Sequence, residues 1–165
     1  MPDESRVPID IPELRVPFVF RQRPVSLPAD LRPAWRIGLI LLLLKKCCRQ
    51  RRTSLTRLHV LSWGFVSPEG RSQLVAAATG TLSPDSLVIR FEPFLLQAVD
   101  YGIGEGLVRR HGGGTIELTE TGLRLAEELE ENPSAFVSEK KVMATLRTRV
   151  SEHLVKRMFG WREDA

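Results

Sequence analysis

The sequence predicts an α+β fold that is mostly helical, and three observations predict it. Apolar residues recur at helical spacing over most of the chain after residue 33, while only short runs near 87–91 and 107–118 read as strands. Seven of the eleven prolines fall in residues 1–33, a density that forbids a helix there. Hydrophobic residues make up 42% of the 165, enough to bury one core. Three parts follow: a Pro-rich extended arm (1–32), one packed domain (33–131) and a long C-terminal helix (132–165).

The arm carries Val7, Ile9, Ile11, Leu14, Val16, Phe18, Val19 and Phe20 between its prolines. It reads as an extended segment with apolar teeth, packed along its own domain or docked on another subunit. Phe18 and Phe20 are its candidate interface residues. Pro33 then opens a helix running to about Cys48. Trp35, Ile37, Leu39 to Leu44 and Cys47 leave that helix almost no polar face, so it is expected to be buried on all sides. Arg49 to Arg52 form a basic turn. Ser54 caps a second helix that ends near Trp63 and Gly64, and Pro68 opens a third that Gly80 closes. Leu87 to Phe91 reads as a short strand.

The next stretch is the most informative. A helix from about Pro93 to Tyr101 is followed by glycines at 102, 104 and 106. Leu107 to Arg110 reads as a strand, His111-Gly-Gly-Gly114 as a turn, and Thr115 to Leu118 as the returning strand. Thr119 caps the helix that follows. Glu105-Gly-Leu-Val108, then Leu118-Thr119 and Gly122, resembles the "EGLV … LTxxG" signature of winged-helix proteins. That resemblance implies a winged helix-turn-helix domain at 33–131, a fold that serves DNA readers and protein docks alike. A last long helix is expected from about Ala135 to Phe159, with Phe136, Met143, Leu146, Val150, Leu154 and Met158 at helical spacing.

Charge is segregated. The net value is only +4, yet residues 31–60 hold eight basic residues and no acid, while 111–135 hold six glutamates against Arg124. Four of those glutamates (Glu127, Glu128, Glu130, Glu131) end a helix, where they oppose its dipole and call for basic neighbours from the last helix or a partner. Lys45, Lys46, Arg49, Arg51 and Arg52 are the candidate contacts for DNA phosphates or for an acidic partner surface. Their plainer alternative is a solvated basic rim.

Several chemistries find no support. His111-Gly-Gly-Gly114 looks like an esterase oxyanion loop, but the chain has no Gly-x-Ser-x-Gly turn. Glycines 102, 104 and 106 fail the dinucleotide-loop spacing and follow a helix. The three histidines are far apart in sequence, and the two cysteines, Cys47 and Cys48, are adjacent and cannot staple the fold. The longest apolar run is far short of a bilayer span. A cytoplasmic protein without catalytic residues, cofactor, metal, membrane contact or small-molecule substrate is expected.

In a DNA-reading winged helix, the helix before the hairpin supplies cations and amides to the major groove. Here that helix, Pro93 to Tyr101, has no basic residue and carries Asp100. It is expected to be a packing or protein-facing element and not a base reader, with Phe94, Leu95 and Val99 as candidate interface residues. Arg32-Pro-Ala-Trp-Arg-Ile-Gly-Leu-Ile-Leu-Leu-Leu-Leu, Cys48-Arg, Leu58-His-Val-Leu-Ser-Trp63 and the hairpin together resemble the small middle component of three-component ABC-ATPase systems, which include Lamassu-type anti-phage defence. The resemblance covers about residues 32–125. It implies an accessory subunit beside an SMC- or Rad50-like ATPase subunit and an effector subunit; contact with double-stranded DNA through phosphates is the separate expectation of the basic segment. A stand-alone winged-helix transcriptional regulator is the alternative.

Overall fold

The computed structural model describes residues 32–160. Phe18, Phe20 and the rest of the arm's apolar teeth lie outside the described residues. The fold is α+β and mostly helical, with one small antiparallel sheet of three strands.

Helix α1 (Pro33–Cys47) is the hub. Gly38 to Leu44 and Cys47 are buried along it. Around it pack α2 (Leu55–Val66), α4 (Pro93–Gly104), α5 (Glu120–Glu131), α6 (Val137–Leu146) and strand β3 (Thr115–Leu118). A helix that is apolar on every side requires such a jacket. Gly38 leaves a notch that Phe136 fills: a Cβ there would stand 2.8 Å from the Phe136 ring. The same ring stacks on Trp35 with centroids 5.8 Å apart.

The basic turn is tighter than the sequence suggested. Residues Arg49–Arg51 form a tight turn that is non-helical at Gln50, and Arg52–Ser54 form strand β1. Gln50 and Arg51 both have positive φ, 54° and 58°, which reverses the chain between α1 and the sheet. The Ser54 hydroxyl then caps α2 by accepting the Arg57 N–H at 3.0 Å. Ser67 caps α3 (Pro68–Thr79) in the same way through the Gly70 N–H, and Gly80 closes it with φ 83°.

Strand β2 (Val108–Arg110) and β3 form the hairpin, and β1 pairs with the far side of β3, giving the order β1-β3-β2. The register aligns Arg52, Glu117 and Arg109 in one row and Thr53, Ile116 and Arg110 in the next. Val108, Ile116 and Leu118 turn one face into the core. The Thr119 hydroxyl caps α5 by accepting the Gly122 N–H at 3.0 Å.

Three expectations need correction. Leu87 to Phe91 is not a strand; it joins no ladder among the described residues. Helix α4 continues past Tyr101 to Gly104, because Gly102 is buried against Val108, where the helix and hairpin meet. The long C-terminal helix is in fact two, α6 and α7 (Glu152–Met158). The chain breaks at Arg147, with φ 46° and ψ −129°, and restarts at Ser151, whose hydroxyl accepts the Leu154 N–H at 3.2 Å. Val150 supplies the reason. Its side chain is fully buried, and its carbonyl accepts the Arg57 Nε–H. One straight helix would carry Val150, Val155 and Met158 away from the body. The break instead folds α7 back onto α2 and the turn at Pro84–Ser86.

Candidate interaction surfaces

The basic segment divides into side chains used within the fold and side chains turned outward. Arg36 is buried and paired with Glu92, Nη1 to Oε2 at 2.6 Å. Arg57 is buried as well and ties three segments together. It donates to the carbonyls of Cys47 (2.8 Å) and Val150 (2.5 Å) and to the Thr53 hydroxyl (3.2 Å). Lys45 and Lys46 both grip Glu130, the first at 2.7 Å. Hydrogen bonds from these two ammonium groups hold the Glu130 carboxyl below its usual range. Arg51 lies 3.5 Å from Glu120. Arg49 and Arg52 are exposed.

Of the four acids at the end of α5, Glu127 and Glu130 have basic neighbours, and these come from α1 and not from the last helix. Lys45 and Lys46 meet Glu130 from α1. Lys140, from α6, donates its ammonium to the carbonyls of Leu129, Glu130 and Asn132, at 2.6–3.3 Å. A cation among the last carbonyls of a helix relieves the dipole that the glutamates oppose. Beside this clamp, Cys47 and Cys48 are buried thiols, and burial pushes them up to about 12 and about 11.

Helix α4 presents two different faces. Leu95 and Val99 are core residues, not surface ones; the apolar pattern that suggested an interface is satisfied by the protein's own interior. Phe94 is 53% exposed and Tyr101 52%, and Gln97 lies exposed between them at helical spacing. Asp100 points along the same outer side and pairs with Arg110 at 3.4 Å. Arg36 reaches beneath this face, its guanidinium 5.5 Å from the Phe94 ring centre.

Two features were not read from the sequence. On the hairpin, Glu117 lies between Arg52 and Arg109 by register and meets His111 Nε2 at 2.5 Å. The hydrogen bond from His111 holds Glu117 below the usual carboxylate range. The period-two charge pattern of 109, 111 and 117 was the available signal. The second feature is an apolar groove of about 330 Å³ between α2, α4, residues 89–91 and Phe159 at the end of α7. Leu55, His59, Ile89, Phe91, Leu95 and Leu96 line it. His59 stacks on Phe91, with centroids 4.7 Å apart, and its Nε2 accepts the Glu92 N–H at 3.2 Å. Burial lowers the His59 pKa, so the ring accepts as a neutral imidazole. Among the described residues no three His, Cys, Asp or Glu side chains gather at a point, and no helix is long and apolar enough to cross a membrane.

The chain matches no protein-family model, no curated protein and no solved structure.

Proposed function

We propose that the chain is a winged-helix accessory subunit without a catalytic centre. In this reading it docks on an SMC- or Rad50-like ATPase, beside an effector subunit, in a bacterial anti-phage defence system. The element order supports the winged-helix reading. A helix leads into a short strand, further helices follow, and a hairpin returns so that its second strand lies between the other two.

One observation carries the docking reading: the outer face of α4, the helix before the hairpin, offers Phe94, Gln97, Asp100 and Tyr101 and no cation. The nearest arginine of the hairpin, Arg110, is held by Asp100. Exposed aromatics flanked by polar groups suit a protein partner, whereas a carboxylate repels phosphates. The test is a search of the neighbouring genes for a large coiled-coil ATPase, whose absence would count against this reading, and co-expression of the chain with it. Phe94→Asp with Tyr101→Asp should abolish co-elution while leaving the unfolding midpoint nearly unchanged, since both side chains are half exposed. A free homodimer that footprints its own promoter would instead establish the transcriptional regulator.

A second activity has its own supporting observation. Arg49, Arg52 and Arg109 are exposed near the outer row of the sheet. Contact with DNA through phosphates would use these three: Lys45 and Lys46 are held by hydrogen bonds to Glu130, whereas Arg109, though 3.6 Å from Glu117, keeps an exposed side chain. In the assembled complex, Arg49→Glu, Arg52→Glu and Arg109→Glu together should flatten the log–log salt slope of DNA binding by about one unit per charge removed. Lys45→Ala with Lys46→Ala should leave that slope unchanged. Lost assembly with intact DNA binding would assign the three arginines to a protein surface.

A further inference from the structure

Many of the described cations close onto a carboxylate: Arg36 onto Glu92, Lys45 and Lys46 onto Glu130, Arg71 onto Glu139 and Arg157 onto Asp85. Arg49, Arg147 and Arg149 do not. All three are exposed, and none meets a carboxylate among the described residues. They sit on two tight turns, one after α1 and one between α6 and α7. Arg57 brings the two turns together. Its guanidinium donates to the carbonyl of Cys47, two residues before Arg49, and to the carbonyl of Val150, the residue after Arg149. Glu152, the acid nearest to Arg149 in sequence, is taken up elsewhere: it accepts the Ser54 N–H at 3.3 Å and the Ser54 hydroxyl at 2.9 Å. Arg147 also holds φ 46° and ψ −129°, a backbone conformation that suits glycine. A long cationic side chain kept at a strained position points to a use for that side chain.

We propose that Arg147 and Arg149, together with Arg49, hold the phosphate backbone of a nucleic-acid duplex, so that the cationic surface of Arg52 and Arg109 continues across the α6–α7 junction. This deepens, and rests on, the reading that the outer row of the sheet meets DNA. The chemistry of the face selects the partner. Arginine offers a planar fork of donors that matches phosphate oxygens and stays charged at every working pH. Gln50 and Thr148, both exposed on the same two turns, add uncharged donors of the kind that bond phosphates. A protein partner would call for an apolar centre to the contact. None is present, because the exposed large apolar side chains of the described residues (Val88, Phe91, Phe94, Tyr101, Ile103 and Val137) belong to other segments. A single strand would call for aromatic rings on which bases stack, and the turns carry none. A duplex backbone asks only for cations and polar donors at fixed positions, and it is held without regard to sequence. Arg57 supplies the fixing, as a positioning residue that sets one turn against the other.

The test is binding of the full chain to a labelled DNA duplex, and to one of its single strands, across a salt series that starts at low ionic strength. Arg147→Gln with Arg149→Gln should flatten the log–log salt slope for the duplex by about two units, about one per charge removed. Arg90→Gln with Arg157→Gln removes the same charge beside the segment 84–91 and should leave the slope as it was. Arg147→Gly should lose about one unit of slope while raising the unfolding midpoint, which separates lost contact from lost folding. An unchanged slope in the junction variant, with a flattened one in Arg49→Gln, Arg52→Gln, Arg109→Gln, would overturn this inference and leave the sheet reading standing. A flattened slope in the junction variant alone would uphold the junction and overturn the sheet reading. No salt-dependent binding by the wild type would overturn both. Equal flattening in the Arg90, Arg157 control would reduce the effect to net charge, and tighter binding of the single strand would overturn the duplex as partner.

Discussion

The carbonyl oxygen of Leu107 lies 2.0 Å from where a Cβ on Gly122 would stand. That oxygen also accepts the Thr119 N–H at 3.1 Å, and the Thr119 hydroxyl, 3.0 Å from it, lies 2.6 Å from the neighbouring Gly106 carbonyl. The spacing Leu107, Thr119, Gly122 is therefore one joint. The strand opening the hairpin meets the first turn of α5, and only a residue without a side chain permits the approach. Gly122→Ala should cost about 2–3 kcal/mol, as a methyl forced against backbone does, measured by urea unfolding. A loss under half a kcal/mol would mean that the joint opens without cost.

The buried guanidinium of Arg57 holds α1, β1 and the α6–α7 junction at once. Arg57→Met keeps the bulk and leaves the carbonyls of Cys47 and Val150 without their donor. The expected loss is about 3 kcal/mol, near the upper range for unsatisfied buried groups. Hydrogen exchange should localise the damage to α7 and to the end of α1. Uniform loosening would contradict the clip.

Arg147 occupies a backbone region that favours glycine, and Gln50 stands in the left-handed helical region. Arg147→Gly and Gln50→Gly should each stabilise the protein by about 1 kcal/mol, the cost that a Cβ incurs at such positions. Arg147→Ala should give no gain. Differential scanning calorimetry reads both, and a lowered midpoint for Arg147→Gly would contradict the account of the break.

His59 carries a pH signature. Burial depresses its pKa below the ordinary value of 6.5, so the native state binds fewer protons than the unfolded chain. Its stability contribution is full above pH 6.5 and declines as pH falls through that value toward the native one. Unfolding free energy should therefore drop between pH 7.5 and 5.5. His59→Gln should flatten the decline; an equal slope in that variant would assign it to other groups.

Local chemistry was legible in the sequence wherever one residue type has one use. Pro33, Ser54, Pro68, Gly80 and Thr119 marked helix boundaries that the structure reproduces, because caps act within a turn. The unbroken apolar run of α1 correctly implied burial on all sides. Long-range partnerships were not legible. Nothing local says that Lys45 and Lys46 meet Glu130, or that Arg57 reaches Val150 across 93 positions. The periodicity of residues 135–159 continues through the break because both α6 and α7 face the same core. A spacing rule cannot see that the chain turned between them.

The central position of α1 has a consequence for synthesis. This helix leaves the ribosome ahead of every described element that packs on it, and that jacket is complete only when α6 has emerged. At ordinary elongation rates of about 5–20 residues per second, that interval is roughly 5–20 s. Throughout it, Leu39 to Leu44 form an uncovered aliphatic surface on a nascent chain. A nascent chain with such a surface is open to aggregation, so its yield in cells should follow translation speed more closely than its final stability.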